Sequence, residues 1–301
     1  MSKLYKFNQL VGDTPLIQIE NRIYAKFEVY NPSGSVKDRM VTYIINDALK
    51  KNIINEKSIF IEATSGNTGI SLAMMGSKLS NKVKIIMPHN MSSERKKMLR
   101  FFGAELIEVG FNDFQSAIDL RDSILASDER YWSPLQFSNK LNIECHRRTT
   151  GPEILSSVYH LFMQNDPTRT FDTFIHGSGT GGTLMGVWEY FNKDLLWVDK
   201  KGIPKKIDFV LTTPAEPSSM HGIQGINDGA NFLLNKHILD DEIPISTDSA
   251  VEYMHQLGLE KGLMVGISSA ANILAAKKWK EKRPNGGAIV TMLCDRGERY
   301  L

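Results

Sequence analysis

The chain has 301 residues and a formal net charge of +2, with 36 Lys and Arg against 34 Asp and Glu, enough for one large domain or two smaller ones sharing an interface. Apolar residues make up 42% and charged residues 23%, ordinary for a soluble globular protein, and the interleaved charges of "SERKKMLR" and "KKWKEKR" read as solvated helix faces rather than a nucleic-acid footprint. The N-terminus lacks the apolar core of a signal peptide, no window reaches a membrane span, and Cys145 and Cys294 are too few for a disulfide framework or a structural zinc site; a reducing cytoplasm and no bound metal are expected.

The first informative stretch is "EVYNPSGSVKDRM" (28–40). Two turn-formers, Pro32 and Gly34, sit between hydroxyls, and Lys37 follows where a helix begins. A cation on the first helical turn opposes the helix dipole, so a merely exposed lysine gains nothing there. A lysine that must lose its proton gains by it. An ion pair with Asp38 is the plainer alternative.

Downstream, "SIFIEA" (58–63), "KVKIIMP" (82–88) and "AELIEVG" (104–110) read as buried strands. They alternate with the helical stretches "ISLAMMGSKL", "SSERKKMLRFFG" and "DFQSAIDLRDSILAS". The second of these is expected to be capped by Ser92 or Ser93 and stopped at Gly103. This βαβαβ order implies parallel strands joined by right-handed crossovers. After residue 140 the pattern restarts with helix "TGPEILSSVYHLFMQ", strand "TFDTFIHG", helix "TLMGVWEYFNK" and strand "KIDFVLTTP". A Gly- and Asn-rich loop follows, then helices "DSAVEYMHQLGLEKG" and "SSAANILAAKKWKEK" and the closing strand "GGAIVTMLCD". The expected fold is α/β: two open, mainly parallel twisted sheets flanked by helices, with the site in the cleft between a smaller and a larger domain.

Ligands in such sheets sit beyond the carboxyl ends of the strands, and three loops there have unusual composition. "EATSGNTG" (62–69) offers Thr64, Ser65, Asn67 and Thr68 beside two glycines at a helix start, equipment for holding a carboxylate. "GSGTGGTLMG" (177–186) exposes backbone N–H groups at four glycines and adds the hydroxyls of Thr180 and Thr183, an anion nest at a helix end. It lacks the lysine of a nucleoside-triphosphate loop, and no acidic residue closes the next strand as a dinucleotide site requires. A single phosphate monoester fits it best. In "VGISSAAN" (265–272), Ser268 or Ser269 is placed to cap a helix. A lysine favouring its neutral amine together with a phosphate cradle points to pyridoxal phosphate, because Schiff-base formation needs a deprotonated lysine.

The motifs "NPSGSVKDR", "EATSGNTGISLA", "GSGTGGTLMG", "GISS" and "CDRGERYL" resemble the cysteine synthase (O-acetylserine sulfhydrylase) family of fold-type II pyridoxal-phosphate enzymes over nearly the whole chain. "MSSERKKMLRFFGAEL" and the ending are closest to the B isozyme, whereas "GIQGI" (222–226) is more like the A isozyme. The likeness implies that Lys37 is the Schiff-base lysine and moves the substrate α-proton. It implies that Asn67 bonds the cofactor ring hydroxyl and that Thr64, Ser65, Thr68 and Gln136 hold the substrate carboxylate. Gly179, Thr180, Gly181, Gly182 and Thr183 would bind the phosphate and Ser268 the pyridine nitrogen, with Cys294 close to it or simply a buried strand cysteine. The smaller, mobile substrate-binding domain is drawn at 38–141, and the larger cofactor-binding domain at 1–37 with 142–301.

The activity implied is β-replacement, making L-cysteine from O-acetyl-L-serine and sulfide. Small-molecule substrates, a homodimer and a serine acetyltransferase partner go with it. Alternatives on the same scaffold are a cystathionine β-synthase-like enzyme, a cysteine desulfhydrase, a serine or threonine dehydratase, and a non-catalytic regulatory binder. A short stretch between "TPL" and "NPSG", an end at Leu301, and "PAEPSSMHGIQGINDG" depart from the family pattern. They bear on the dimer surface, the cleft entrance and substrate choice.

Overall fold

Ten strands and nine α-helices occupy the described part of the chain. The structure is a computed structural model, and it describes residues 8–64, 66–111, 113–163, 171–195, 206–217, 220–226 and 232–301. In chain order they are β1 (Leu16–Glu20), β2 (Ile23–Phe27), α1 (Lys37–Lys50), β3 (Ile59–Ala63), α2 (Asn67–Leu79), β4 (Lys82–Pro88), α3 (Ser93–Phe101), β5 (Glu105–Val109), α4 (Phe114–Ser127) and β6 (Tyr131–Trp132). The second half gives α5 (Leu141–Arg148), α6 (Thr150–Val158), β7 (Phe171–Gly177), α7 (Gly182–Glu189), β8 (Asp208–Pro214), β9 (Asp241–Ile245), α8 (Thr247–Lys261), α9 (Ile267–Lys282) and β10 (Ala288–Leu293).

The strands form two sheets. One has six strands in the order β1-β2-β10-β7-β8-β9, and the other has four in the order β5-β4-β3-β6. Every pairing is parallel except the β1–β2 hairpin. This is the two-sheet α/β architecture expected from the alternating pattern. Strands buried on both faces read as unbroken apolar runs, because alternate side chains serve opposite layers. On β7 and β10, Ile175, Ile289 and Leu293 join the apolar layer under α8 and α9, whereas Phe174, Val290 and Met292 join the layer under α6 and α7. The four-stranded sheet divides likewise, with Phe60 and Ile85 toward α1 and α2, and Ile61 and Ile86 toward α4.

Several elements differ from the sequence expectation. The β1–β2 hairpin, the two-residue β6 and edge strand β9 carry too few residues to show a period. Pro244 sits in β9, the edge position where a missing N–H costs no ladder bond. The helix expected from 150 onward ends as α6 at Val158 and continues as a wider turn over Tyr159–Met163, and it is preceded by a separate helix, α5. Its expected last residue, 164, lies outside the described residues, as do parts of the "PAEPSSMHGIQGINDG" loop. Gly103 does end the α3 region, at φ +80°, and Ser92 is the N-cap of α3. No helix among the described residues is long and apolar enough to cross a membrane.

Candidate active site

The carboxyl ends of β7 and β10 and the start of α1 open on one cleft. Its walls bring together Lys37, Asn67, Gly179, Thr180, Gly181, Thr183, Ser268 and Cys294. Residues far apart in sequence thus meet at the strand ends, where open α/β sheets bind ligands.

Lys37 is the first residue of α1, and Val36 before it is the N-cap. The amine's pKa is lowered from 10.5, chiefly because burial disfavours the charged form, while Cys294 and Asp295 act in the opposite direction. The cause is therefore desolvation more than the helix dipole. Asp38 does not pair with Lys37. Its carboxylate, fully buried, accepts from the Ser33 backbone N–H at 2.6 Å and the Ser71 hydroxyl at 2.5 Å, and also from the Ser33 hydroxyl. Arg39, 2% exposed, donates to Glu28 at 2.6 and 2.8 Å and to both oxygens of Glu153 at 2.7 Å.

The glycine loop meets the N-terminus of α7. Gly181 caps that helix at φ +91°. No acceptor among the described residues takes the backbone N–H groups of Gly179, Thr180 or Gly181. The cradle is backed on every side. A methyl group at Gly181 would lie 2.5 Å from the Leu234 nitrogen, one at Gly179 2.8 Å from the Gly225 carbonyl, and one at Gly182 2.1 Å from Asn142 Oδ1. Two supports went unread in the sequence. Asn142 Nδ2 donates to Thr180 Oγ1 and to the Gln136 carbonyl, each at 3.0 Å. His146 bridges Thr183 at 3.1 Å and Thr150 at 2.8 Å. Both lie on α5, four residues apart and so on one face; that spacing was the available signal. Burial drives the pKa values of His146 and His176 down, His176 to about 3, so both rings are neutral.

Ser268 lies in the first turn of α9, whose N-cap is Gly266 rather than a serine. Ser268 faces the cleft, and Ser269 instead accepts the Cys294 N–H at 2.9 Å. Burial pushes the Cys294 thiol up to about 12, so it stays a neutral thiol. Asn67, at the start of α2, donates to Asp295 Oδ2 at 2.7 Å and accepts from Arg299. Thr68 donates to Gln136 Oε1 at 2.6 Å, and both residues are buried; neither is in the cleft wall. The Thr64 hydroxyl accepts the Gly66 N–H at 3.3 Å. Ser65 lies outside the described residues. Among the described residues no group of three or more His, Cys, Asp or Glu is placed to hold a metal ion.

The family model described as "Pyridoxal-phosphate dependent enzyme" matches residues 7–295. The chain is 40% identical to the cysteine synthase B of Campylobacter jejuni, over 98% of this chain and 96% of that one. It is 36% identical to the cysteine synthase of Staphylococcus aureus, over 97% and 94%. It belongs to the cysteine synthase family of pyridoxal-phosphate-dependent enzymes. Solved structures with the same architecture include a hydrogen sulfide-producing enzyme of Fusobacterium nucleatum, with TM-score 0.86, 32% identity and 98% and 99% of the two chains covered. The O-acetylserine-dependent cystathionine β-synthase of Helicobacter pylori has TM-score 0.82 and 31% identity, with 98% and 96% covered. The cleft suits the family's cofactor. An amine with a lowered pKa and backbone donors without acceptors among the described residues face one space, and the cradle has no room for a side chain where a phosphate would lie.

Proposed function

We propose that the protein makes L-cysteine from O-acetyl-L-serine and sulfide by β-replacement. The observation that carries this reading is the meeting, in one cleft, of Lys37 with the 179–181 loop, whose N–H groups find no acceptor among the described residues, in a chain whose relatives are named cysteine synthases. Bound pyridoxal phosphate supplies an aldehyde that condenses with amines and a ring that withdraws electrons from the substrate Cα.

The chain's own residues supply the rest. Lys37, deprotonated by burial, anchors the cofactor and afterwards takes the substrate α-proton on Nζ. Acetate leaves from Cβ, hydrosulfide adds there, and Lys37 Nζ returns the proton to Cα, so that O-acetylserine and HS⁻ become cysteine and acetate. The amides from Gly179 to Thr183 hold the phosphate, and the α7 dipole favours its charge. Ser268 faces the ring nitrogen as a neutral hydroxyl, which withholds the charge that a carboxylate would offer a protonated ring. Asn67 donates to the ring oxygen. Thr64, Ser65, Thr68 and Gln136 hold the substrate carboxylate, and residues 38–141 move as a unit when they do so. A cytoplasmic homodimer, with a serine acetyltransferase as a partner, completes the reading on the family likeness.

The test is a purified holoenzyme given O-acetylserine with sulfide, with homocysteine, or with water alone, and the products separated by mass. Cysteine as the fastest product supports the reading. Faster formation of cystathionine, or of pyruvate and ammonia, overturns it in favour of the chemistry named for the Helicobacter enzyme or of a dehydratase.

A further inference from the structure

The C-terminal turn Gly297–Tyr300 carries one of the most enclosed charges among the described residues. Arg299 is 2% exposed and Asp295 1%. Burying charged groups is unfavourable unless they are paired and hydrogen-bonded. Here the pairing is incomplete: Arg299 Nε and Asp295 Oδ1 find no partner among the described residues. Replacing buried charges by hydrophobic side chains of similar size is often neutral or stabilising, so stability alone is a weak account of these two.

What they do hold is the Asn67 amide. Arg299 donates one N–H to Asn67 Oδ1 and another to the Ser33 carbonyl, in the loop that leads into Lys37. Asp295 Oδ2 accepts from Asn67 Nδ2 at 2.7 Å and from the Tyr300 hydroxyl at 2.6 Å. The Tyr300 ring in turn lies under the Arg95 guanidinium of α3, at 5.2 Å. A guanidinium only donates and a carboxylate only accepts. Of the two orientations open to an amide, one alone satisfies both: oxygen toward Arg299, nitrogen toward Asp295. That leaves the second N–H of Nδ2 without an acceptor among the described residues, on a side chain that borders the cleft.

We propose that Arg299 and Asp295 are positioning residues that lock the Asn67 amide so that its remaining N–H is presented to the ring oxygen of bound pyridoxal phosphate. This rests on the reading that the cleft holds that cofactor with Asn67 at its ring. The turn also ties the Lys37 loop to α2 and α3, so the lock is set relative to the lysine.

The experiment is a pH titration of the bound cofactor's visible absorption in holoenzyme, compared among wild type, Arg299→Leu, Arg299→Lys, Asn67→Ala and the double variant Asn67→Ala/Arg299→Leu. A hydrogen bond to an ionised oxygen favours ionisation, so losing it moves the ring titration upward by about one pH unit, roughly tenfold. Arg299→Leu and Asn67→Ala should shift it equally, the double variant no further, and Arg299→Lys should recover part of the shift. Unchanged titration in Arg299→Leu, or additive shifts in the double variant, overturns the proposal. If Arg299→Leu does not fold, Asp295→Ala with Asn67→Ala gives the same comparison. A wild-type protein without visible cofactor absorption would instead overturn the underlying reading of the cleft.

Discussion

Replacing Gly181 with alanine tests the phosphate cradle at its tightest point. Gly181 has φ +91°, a backbone conformation that costs an L-residue about 1–2 kcal/mol. The new methyl would lie 2.5 Å from the Leu234 nitrogen and 2.9 Å from the Leu233 carbonyl carbon, against an optimum near 3.5–4 Å. All the nearest atoms are backbone, and Leu233 N–H is itself bonded to the Thr180 carbonyl at 3.0 Å, so no flexible side chain can give way. Overpacking of this kind adds roughly 1–3 kcal/mol. The loop can relieve the contact only by shifting, and a shift moves its N–H groups off the phosphate. Losing one charge-assisted bond, about 1.5–3 kcal/mol, weakens cofactor affinity by roughly ten- to a hundredfold. The assay is a pyridoxal phosphate titration followed by absorbance, alongside thermal melting. Gly103→Ala is the control, since Gly103 has nearly the same φ (+80°) with nothing within 4 Å of the added methyl. It should lose about 1 kcal/mol of stability and leave cofactor binding unchanged. Wild-type cofactor affinity in Gly181→Ala would refute the cradle.

Lys37→Ala should abolish turnover and remove the absorption of lysine-linked cofactor, and an unchanged visible spectrum would sink the assignment. His146 and His176, held neutral in the folded chain with pKa values below the ordinary 6.5, take up protons only on unfolding as the pH falls below about 6.5. Between pH 6 and 4 the unfolding free energy should therefore fall by about 1.4 kcal/mol per pH unit for His176, with a further fall in the same direction from His146, and His146→Asn should lessen the slope in urea melts; an equal slope in the variant would be the contrary result. Glu28 is held down to about 2 from 4.5, where the Arg39 guanidinium overcomes the effect of burial. Its contribution, about 3 kcal/mol, is present above pH 4.5 and lost as the pH falls toward 2. Glu28→Gln should cost about that much at neutral pH and flatten the extreme acid limb, and a stability loss below 1 kcal/mol would show that Arg39 is held by Glu153 alone.

How much of this was legible beforehand follows from how far each signal reaches along the chain. The strands of the two sheets are local apolar runs, and the glycine loop carries its chemistry in consecutive residues, so β3, β4, β7, β8 and the 179–183 cradle can be read directly. Lys37 could be picked out by its place at a helix start, although burial, which no local pattern shows, turned out to be the larger cause of its lowered pKa. Contacts between distant segments left no trace. The Asn142–Thr180 and His146–Thr183 supports and the Arg299–Asn67 pairing join residues separated by 38, 37 and 232 positions, and each partner alone is an ordinary polar residue. The serines of "GISS" misled in a different way. A hydroxyl near a helix start suggests a cap, but the helix is capped two residues before Ser268, at Gly266, which frees Ser268 to face the cleft.

The same long-range contacts explain why "VKDR" can hold a neutral amine beside two charged residues. Asp38 is turned toward Ser33 and Ser71, where hydroxyl and amide donors satisfy it without a cation. Arg39 is consumed by Glu28 and Glu153, and Glu153 also takes Lys26 at 2.6 Å. Each neighbour that could have stabilised a protonated Lys37, or repelled it, is committed elsewhere before the cleft is reached. Asp295 remains as the nearby carboxylate, and its Oδ2 is already engaged by Asn67 and Tyr300. With no ion pair to Lys37 among the described residues, desolvation decides its protonation. An acid introduced on the cleft wall, for example by Gly225→Asp opposite Ser268, should therefore return the amine toward its ordinary pKa and slow its condensation with pyridoxal phosphate at neutral pH, whereas Gly225→Asn, of equal size, isolates the steric share of the effect.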